Sequence, residues 1–365
     1  MSADSRGDRC TFSVTDDLQV VLITYNRKRA LGHTLERVFA PDSPVRGCSI
    51  TVLDNCSTDG SGELLAAAAA EHPNLTVVSR RRNIGGNANI VRAFELADRK
   101  YIWVLCDDDD FDWSQWPPVE RALASDEYDI VYTVSHVARP SDSPDVGYLA
   151  FLAAFVPGCI YRTAHITGDV LQNMYAMIHT WYPHCVLSLH VLCNLKGRAF
   201  FRPGGDVVIR RLQTEDGSRE MTQEENDRTL VRGISESLLH PDMRRMFWHV
   251  GFVMAAQIVN DEAERARVME RARFNEDWSG DFGRYCEYVA GYNRKHRSGS
   301  AKNTFDFLLS LPKGRLRRTF ALAVARPYLP FFVQARDGKL EVELLWKIKL
   351  WLWDRRWFHR KAPRR

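Results

Sequence analysis

The stretch YIWVLCDDDDF, residues 101–111, joins an apolar run to four consecutive aspartates. The apolar part, 101–106, is typical of a strand that is buried on both faces. Asp107 to Asp110 then follow at the C-terminal end of that strand, the edge at which open α/β sheets bind ligands. Carboxylate oxygens suit hard cations such as Mg²⁺ and Mn²⁺, and carboxylates this close oppose each other's ionisation unless a cation relieves them. The stretch therefore predicts an α/β protein with a metal ion at one edge of its sheet.

The same α/β pattern extends from Gln19 to about Tyr132, where short β-branched or apolar runs alternate with helix-like stretches. This alternation predicts a parallel sheet wrapped by helices. The predicted strands are 20–24, 49–54, 75–79, 101–106 and 130–134, and the predicted helices are 30–39, 62–71, 87–98 and 118–124. Further along, the pattern predicts a buried strand over 152–161, a hairpin over 196–210 turned by Pro203-Gly204-Gly205, and helices over 244–259, 262–273 and 282–294.

Composition limits the class of protein. The chain has 365 residues, of which 45% are hydrophobic, enough to bury one large core or two smaller ones. Its eight cysteines are scattered along the chain, which indicates reduced thiols and not a disulfide framework. The polar N-terminus carries no secretory h-region, and the most apolar stretches are too short or too interrupted to span a bilayer. We therefore expect a cytoplasmic protein that is soluble or peripheral to a membrane.

Four segments, in this order along the chain, resemble glycosyltransferase family 2: VLITYNR (21–27), VLDNCSTDGS (52–61), RNIGGNANI (82–90) and WVLCDDDDF (103–111). The resemblance implies the GT-A fold, a mostly parallel central sheet flanked by helices, and a nucleotide-sugar donor. It covers about the first 130 residues strongly and 156–210 more loosely. We expect a flexible N-terminus (1–18) and a catalytic domain (19–215, with a nucleotide-binding half at 19–135 and an acceptor-side half at 150–215). A helical extension (220–312) and a basic, tryptophan-rich tail (313–365) follow, outside the resemblance.

The turns after the first three strands supply the nucleotide contacts that the family resemblance implies. The turn after the first strand lines the base pocket, and the carboxylate that ends the second strand accepts hydrogen bonds from a base N–H or a ribose hydroxyl. The alternatives are an ordinary strand-to-helix turn, and a glycine turn at Gly85-Gly86 with an N-cap behind it. The residues assigned to the nucleotide are Thr24, Tyr25, Asn26, Asp54, Arg82, Asn83 and Asn87.

Within the aspartate run, Asp107 and Asp109 align with the family's Asp-x-Asp pair. The resemblance implies that Asp109 binds the metal directly and that Asp107 contacts ribose or a metal-bound water. Asp108 and Asp110 are then supporting residues, or the ligands themselves if the register differs by one. The implied cofactors are Mn²⁺ or Mg²⁺ and a nucleotide sugar, with UDP or dTDP favoured.

The general base is assigned less directly than the metal ligands. The family reaction is inverting, a single displacement that needs a base near the acceptor hydroxyl. The segment HTWYPHCVLSLH, residues 179–190, resembles a branch of the family that includes abequosyltransferase-like enzymes. His184 is therefore the first candidate for the base, followed by His179 and Asp169, although a lone histidine is more often structural.

The C-terminal tail is basic and rich in tryptophan. Residues 313–365 hold fifteen Lys or Arg against four Asp or Glu, and Trp346, Trp351, Trp353 and Trp357 fall in the last twenty residues. Leu345, Ile348 and Leu352 share one face at helical spacing, which favours an interfacial helix with a basic tail, and we expect residues 340–365 to contact a membrane surface. The alternatives are a core-packed terminal helix and, less favoured, nucleic-acid binding.

Together these features predict a metal-dependent inverting glycosyltransferase of the hexosyltransferase type. We expect it to act at the inner face of the cytoplasmic membrane on a saccharide or lipid-linked saccharide acceptor, in lipopolysaccharide, O-antigen or other surface-glycan synthesis. Two alternatives stay open: a sugar nucleotidyltransferase, and a catalytically degenerate GT-A scaffold or glycan-binding subunit.

Overall fold

The computed structural model describes residues 12–135, 145–210, 251–252, 254–271, 333–336 and 339–342. The chain divides into two compact units, Met1–Arg271 and Ala272–Arg365. The described part of the second unit is an antiparallel hairpin of Val333–Arg336 with Lys339–Val342. The remainder of the predicted tail, and most of the predicted extension at 220–312, lie outside the described residues.

Four parallel strands form one half of the main sheet. β1 (Leu18–Thr24) lies between β2 (Ser49–Asp54) and β4 (Tyr101–Cys106), and β3 (Leu75–Ser79) pairs with the other side of β2. β1, β2 and β4 are buried along almost their whole length, which explains why their sequences are nearly continuous apolar runs. The predicted strands in this half agree with the observed ones within two residues.

The helices between these strands follow the predicted order. α2 places Leu31, Leu35 and Val38 on one apolar stripe that joins the core beneath the sheet. Pro117 lies in the first turn of α5, where a missing backbone amide costs no helical hydrogen bond. The helices of this half are α1 (Val14–Asp17), α2 (Lys28–Val38), α3 (Ser61–Glu71), α4 (Gly86–Glu95) and α5 (Trp116–Ala124).

The N-terminal stretch expected to be flexible is partly ordered. Residues 14–17 form α1, and Leu18 is already the first residue of β1. The turn is held locally, because the backbone N–H of Ser13 donates to Asp17 Oδ2 at 2.9 Å.

Three more strands complete a sheet of order β3-β2-β1-β4-β7-β6-β8. β7 (Cys159–Arg162) runs antiparallel to both β4 and β6 (Ile130–Tyr132), while β8 (Ala199–Phe200) is parallel to β6. The predicted strand over 152–161 is therefore wrong in its first part. There, helix α6 (Val146–Leu152) ends and a 3₁₀ turn at Val156–Gly158 precedes β7, because Asp145 caps the helix and Pro157 favours a turn.

The hairpin predicted over 196–210 is also wrong. Its first strand, β8, joins the main sheet, whereas β9 (Val208–Arg210) pairs antiparallel with β5 (Asp109–Phe111) in a separate two-stranded ribbon. The two arms separate because the backbone amides of Val207 and Val208 both donate to Thr133 O at the end of β6. The ribbon thus ties residues 208–210 to the aspartate run itself.

Three further helices lie in the C-terminal part of the described first unit. These are α7 (Gly168–Ala176), α8 (Cys185–Leu189), which continues as a π-helical turn over His190–Asn194, and α9 (Glu262–Arg271). α9 agrees with the helix predicted over 262–273. The helix predicted over 244–259 is described only in part: residues 251–252 and 254–255 are helical, and a 3₁₀ turn follows at Ala256–Ile258. The helix predicted over 282–294 lies outside the described residues. Among the residues that the structure describes, no helix is long and apolar enough to cross a bilayer.

An aromatic cluster lies directly beneath the aspartate run. Trp103 is fully buried, stacks on Trp116 with ring centroids 5.7 Å apart, and meets Phe111 and Trp113 edge-on. Its indole N–H donates to Pro157 O at 2.8 Å, so the same side chain ties β4 to the turn before β7. The cluster gives the carboxylates above it a rigid base.

Candidate active site

The C-terminal ends of β1, β2 and β4 meet at one edge of the sheet because the three strands are parallel and in register. Thr24 pairs with Asp54, and Ile23 pairs with Cys106. The side chains follow the register, since Thr24 Oγ1 donates to Asp107 Oδ2 at 2.8 Å. Residues predicted to contact the nucleotide and residues predicted to contact the metal therefore share this edge.

The turns after β1 and β2 interlock through side chains. Asn26 has a positive φ of 49°; its backbone N–H donates to Ser57 Oγ at 2.9 Å, and its Oδ1 accepts from the Thr58 amide at 2.7 Å. Asp54 is buried and accepts from the Ser57 amide at 3.0 Å through one carboxylate oxygen. Asn26 thus braces the two turns, while half-buried Tyr25 lies between the strand end and this brace.

The loop after β3 is held to the second turn by paired amides. Asn83 Oδ1 accepts from Asn55 Nδ2 at 2.8 Å and from the Gly85 amide at 2.7 Å, while Asn55 Oδ1 accepts from the Ile84 amide at 3.1 Å. Gly85 has a φ of +85°, and an added Cβ there would meet no atom within 4 Å, so backbone conformation and not crowding calls for glycine. Arg82 is exposed beside this loop, where its guanidinium is accessible to an anion.

Asn87 connects the start of α4 to the segment that follows α7. Its Nδ2 donates to Ile178 O at 3.0 Å and also to Thr180 O. The carbonyls on both sides of His179 are therefore fixed to the start of α4, which keeps His179 beside the predicted nucleotide pocket. This use of Asn87 differs from the direct nucleotide contact predicted for it, although its Oδ1 is not committed by these bonds.

Arg27 bridges the first two aspartates of the run. Its Nη1 lies 3.1 Å from Asp107 Oδ1 and 2.9 Å from Asp108 Oδ2. The two carboxylates differ in exposure, at 6% for the Asp107 side chain and 37% for that of Asp108. With Thr24 on its other oxygen, Asp107 is hydrogen-bonded on both sides, whereas Asp108 presents its carboxylate to solvent.

The third aspartate, Asp109, turns back towards its own strand. It is 1% exposed, and its Oδ2 accepts from the Cys106 amide at 2.9 Å. The buried hydroxyl of Thr34 on α2 donates to the backbone oxygens of both Asp107 and Asp109, each at 3.0 Å. α2 therefore fixes the shape of the aspartate turn from below.

Asp110 is held by the same helix. Arg37 Nε lies 3.0 Å from Asp110 Oδ1, and His33 Nε2 lies 3.4 Å from Asp110 Oδ2. The Phe111 amide also donates to Asp110 Oδ1, at 2.7 Å. These contacts fix the Asp110 carboxylate to α2 and to its own strand.

The pKa values of Asp107 and Asp110 are shifted in opposite directions. Burial raises the pKa of Asp107 to about 6, although Arg27 opposes the rise. Partial burial acts in the same sense on Asp110, but hydrogen bonds from the Phe111 amide, Arg37 and His33 outweigh it and lower the pKa of Asp110. The carboxylate of Asp107 raises the pKa of Arg27, so that guanidinium stays charged.

The three candidates for the general base occupy different environments. His184 is 1% exposed, its Nε2 lies 3.0 Å from Ala154 O, and burial lowers its pKa to about 4. His179 is exposed at the rim beside Asn87, and partial desolvation lowers its pKa, which keeps the ring neutral near pH 7. Asp169 is exposed in the first turn of α7. His179 and Asp169 are therefore both accessible, whereas the role predicted for His184 would require its buried ring to become accessible.

Sequence reasoning missed the residues that support the aspartates. Arg27 belongs to the VLITYNR segment, but the resemblance implies no role for it, and Thr34 and Arg37 lie on α2, outside the four family-like segments. Arg27 could have been identified from the sequence, because it is a cation directly after a turn that was expected to face the aspartates. For Thr34 there was none, because its partners are backbone carbonyls more than seventy residues away.

The donor set fits a divalent cation that shares its ligands with a substrate. Among the described residues, no group of three or more His, Cys, Asp or Glu side chains is arranged to hold a metal. Mg²⁺-type ions at phosphate sites, however, are bound by one or two carboxylates together with substrate oxygens, and do not need an all-protein cage. Asp107, Asp108 and Asp109 carry carboxylate oxygens of this hard type at one strand end.

Comparisons with known proteins agree with the architecture. Residues 19–171 match the model of the glycosyl transferase family 2. The abequosyltransferase RfbV of Salmonella typhimurium is 31% identical over 88 residues, 24% of this chain and 26% of that protein, so the chain spans about a quarter of the length of that relative. The undecaprenyl-phosphate 4-deoxy-4-formamido-L-arabinose transferase of Pseudomonas fluorescens is 24% identical over 284 residues, 72% of this chain and 76% of that protein.

A solved structure supports the fold independently. The mannosyltransferase PcManGT from Pyrobaculum calidifontis, determined with GDP-Man and Mn²⁺, superposes with a TM-score of 0.51 at 15% identity over 86% of this chain and 87% of that one. With the family match, this confirms the predicted GT-A fold and the predicted family resemblance.

The raised pKa of Asp107 makes a prediction about stability and pH. Between about pH 4 and pH 6 the folded protein holds a proton on Asp107 that the unfolded chain has released, so ionisation of Asp107 costs the folded state free energy. Asp107→Asn cannot ionise. We expect the free energy of unfolding of Asp107→Asn, relative to wild type, to rise by up to about 3 kcal/mol from pH 4 to pH 7, measured by urea unfolding in EDTA.

Asp110→Asn is the matched control, because the pKa of Asp110 is shifted the other way. Its carboxylate stabilises the folded state above the unfolded-state pKa, and this contribution is lost as the pH falls. The free energy of unfolding of Asp110→Asn relative to wild type should therefore fall as the pH rises to about 4, where the carboxylate titrates in the unfolded chain, and stay level from about pH 5 to about pH 7. The same trend in both variants would contradict the electrostatic division of the run.

Proposed function

Because residues 19–171 form a glycosyltransferase family 2 domain with the GT-A fold, we propose that the protein transfers a sugar from a nucleotide-sugar donor to a saccharide acceptor, with inversion and with the help of a divalent cation. One observation carries the proposal. The buried carboxylates of Asp54 and Asp107 lie at the ends of parallel strands joined through β1, where Thr24 pairs with Asp54 and bonds to Asp107. A nucleotide and its diphosphate need such a row of polar groups along one sheet edge.

The donor side of the site consists of three turns. In this proposal Tyr25 flanks the base, and Asp54 accepts a hydrogen bond through the oxygen that the Ser57 amide leaves free. Arg82 and the open glycine loop at Gly85 approach the diphosphate or ribose, since backbone without a Cβ permits close contact. The braces around Asn26, Asn55 and Asn83 hold these turns in place before the donor binds; this preorganisation lowers the cost of binding.

The aspartates would hold Mn²⁺ or Mg²⁺ together with the donor diphosphate. Asp109 is the predicted direct ligand. The Arg27-bound oxygens of Asp107 and of Asp108, which has the most exposed carboxylate of these three, would also reach the cation, directly or through a bound water. When bound, the cation neutralises charge on the leaving nucleoside diphosphate. The structurally similar mannosyltransferase was determined with Mn²⁺ and a nucleotide sugar, which supports this class of cofactor.

The base that takes the acceptor proton is, in this proposal, His179. Its flanking carbonyls are fixed to Asn87 on the donor side, and the lowered pKa keeps the imidazole able to accept a proton. His184 and Asp169, the other sequence candidates, lie in a buried hydrogen bond and on an exposed helix turn, respectively.

The acceptor side of the proposal rests on the relatives and on the tail. One relative is named for transfer to undecaprenyl phosphate and the other for transfer of abequose, so a lipid-linked saccharide in surface-glycan or O-antigen synthesis is the favoured acceptor. The basic, tryptophan-rich residues 340–365 would hold the enzyme at the inner face of the cytoplasmic membrane. We further propose that the nucleotide of the donor is UDP or dTDP.

Donor binding should depend on both the metal and Asp109. A panel of nucleotide sugars should raise the melting temperature of the wild type only when Mn²⁺ is present. Asp109→Asn, which keeps the side-chain size, should abolish this Mn²⁺-dependent shift and reduce turnover by at least about a hundredfold while the unliganded protein still unfolds cooperatively.

Two outcomes would count against this assignment. Full turnover in Asp109→Asn would remove the metal role of that residue. If a nucleoside triphosphate and a sugar phosphate raise the melting temperature but nucleotide sugars do not, a nucleotidyltransferase is favoured. If none of these ligands raises the melting temperature, a scaffold is favoured.

Substitution of His179 and substitution of His184 should have different effects on kcat and on the melting temperature. His179→Asn should lower kcat about 10²–10⁴-fold, the range for loss of a general base, with little change in donor affinity. His184→Asn should lower the melting temperature, because it disturbs a buried hydrogen bond to Ala154, and should retain most of the turnover. Loss of turnover in His184→Asn alone, with an unchanged melting temperature, would reverse this order.

Membrane attachment should depend on the tail tryptophans. Full-length protein should float with liposomes containing anionic lipid, and replacement of Trp351, Trp353 and Trp357 by serine should strongly reduce flotation, since these side chains favour the headgroup level. Equal flotation of the two proteins would contradict the role of the tail.

A further inference from the structure

Arg27 occupies the position between two carboxylates that a cation would take. One nitrogen, Nη1, lies within 3.1 Å of Asp107 Oδ1 and within 2.9 Å of Asp108 Oδ2. Arg27 is the residue immediately before α2, and its carbonyl accepts the first helical hydrogen bond, from the Leu31 amide at 2.9 Å. The guanidinium therefore neutralises part of the aspartate run from a fixed backbone position.

We infer that Arg27 is a built-in counter-cation that competes with the divalent metal for Asp107 and Asp108, and that it moves to the diphosphate of the donor when the metal binds. This inference rests on the proposed function and adds a residue that sets metal affinity. A divalent cation binds carboxylate oxygens at about 2.0–2.6 Å. An ion at that distance from Asp107 Oδ1 or Asp108 Oδ2 would lie against the guanidinium, and two like charges do not share one pair of oxygens.

The site permits this exchange without unfolding. The Arg27 side chain is 36% exposed and its backbone is anchored in the helix, so the guanidinium can swing while α2 stays in place. Asp107 keeps its 2.8 Å hydrogen bond from Thr24 through Oδ2 when Arg27 leaves Oδ1. Thr34 continues to hold the backbone of the turn through the carbonyls of Asp107 and Asp109.

The chemistry of arginine indicates where the displaced group goes. A guanidinium presents several N–H donors in one plane and binds phosphate oxygens in pairs. A donor diphosphate would bring negative charge to the same rim at the moment when the metal has taken over the carboxylates. Arg27 would then move from balancing the empty site to holding the leaving group, and its charge would not be left unpaired in either state.

The test measures metal binding apart from catalysis. Free Mn²⁺ is followed by electron paramagnetic resonance during titration of wild type, Arg27→Gln and Arg29→Gln. Arg29 is the matched control, since it is an exposed arginine in the first turn of α2, two residues after Arg27, and its loss changes the net charge equally. We expect Arg27→Gln to bind Mn²⁺ about tenfold more tightly than wild type, and Arg29→Gln to stay within about twofold of wild type because solvent screens its charge.

The second step is measured with UDP in the presence of saturating Mn²⁺. Arg27→Gln should bind UDP about tenfold more weakly than wild type, the loss of one charge-assisted contact to phosphate, and Arg27→Lys should recover part of this affinity. In wild type labelled with ¹⁵N-arginine, the Arg27 Nε resonance, identified by its absence in Arg27→Lys, should shift on addition of Mg²⁺ alone. This wild-type measurement holds even if Arg27→Gln is unstable.

The outcomes separate this inference from the proposed function. If wild type binds Mn²⁺ and Arg27→Gln binds it no more tightly, or if Mg²⁺ leaves the Arg27 resonance unchanged, the competition is disproved and the metal site stands. If neither wild type nor Arg27→Gln binds Mn²⁺ while UDP still binds in EDTA, both the inference and metal dependence fail. If Arg29→Gln weakens UDP binding as much as Arg27→Gln does, the loss of UDP affinity comes from net charge alone, and the specific contact of Arg27 with the diphosphate is disproved.

Discussion

Mutual repulsion among adjacent carboxylates is the constraint around which this sheet edge is built. Asp107 and Asp109 are buried at the end of β4, where water cannot screen them, and each is satisfied by groups from other elements or from its own strand end. Arg27 supplies the balancing charge, and Thr34 supplies the hydrogen bonds that shape the turn. Buried charges are stable only when they are paired and hydrogen-bonded in this way.

The first helix after β1 is therefore as important to the site as the strand that carries the aspartates. α2 packs its apolar stripe into the core and contacts the run through His33, Thr34 and Arg37, so one element provides both burial and polar support. The aromatic cluster around Trp103 belongs to the same core: the Trp113 indole N–H donates to Arg37 O on α2, and the Trp103 indole N–H links β4 to the turn before β7 through Pro157 O. Rigid packing below and hydrogen bonds above position a site better than either does alone.

The sequence predicted β2, β3 and β4 to the residue, because buried parallel strands have continuous apolar runs that turn residues end sharply. It failed over 152–161 and 196–210, where short apolar runs fit a strand, a helix or a turn equally well. Partner choice decided those segments: Thr133 O draws Val207 and Val208 away from a hairpin, and β9 pairs instead with β5. Such partners lie far away in the sequence and leave no local signal.

By itself the sequence determined the order of strands and helices, the edge at which the polar turns meet, and the presence of a carboxylate cluster there, since each follows from local pattern and from the parallel direction of the strands. Only the tertiary structure decided how the members of the cluster differ. Asp107 is clamped between Thr24 and Arg27, Asp108 faces solvent, and Asp109 turns back to its own strand. Four identical residues acquire different charge and exposure because burial and hydrogen-bond partners, and not residue type, set the free energy of an ionised group.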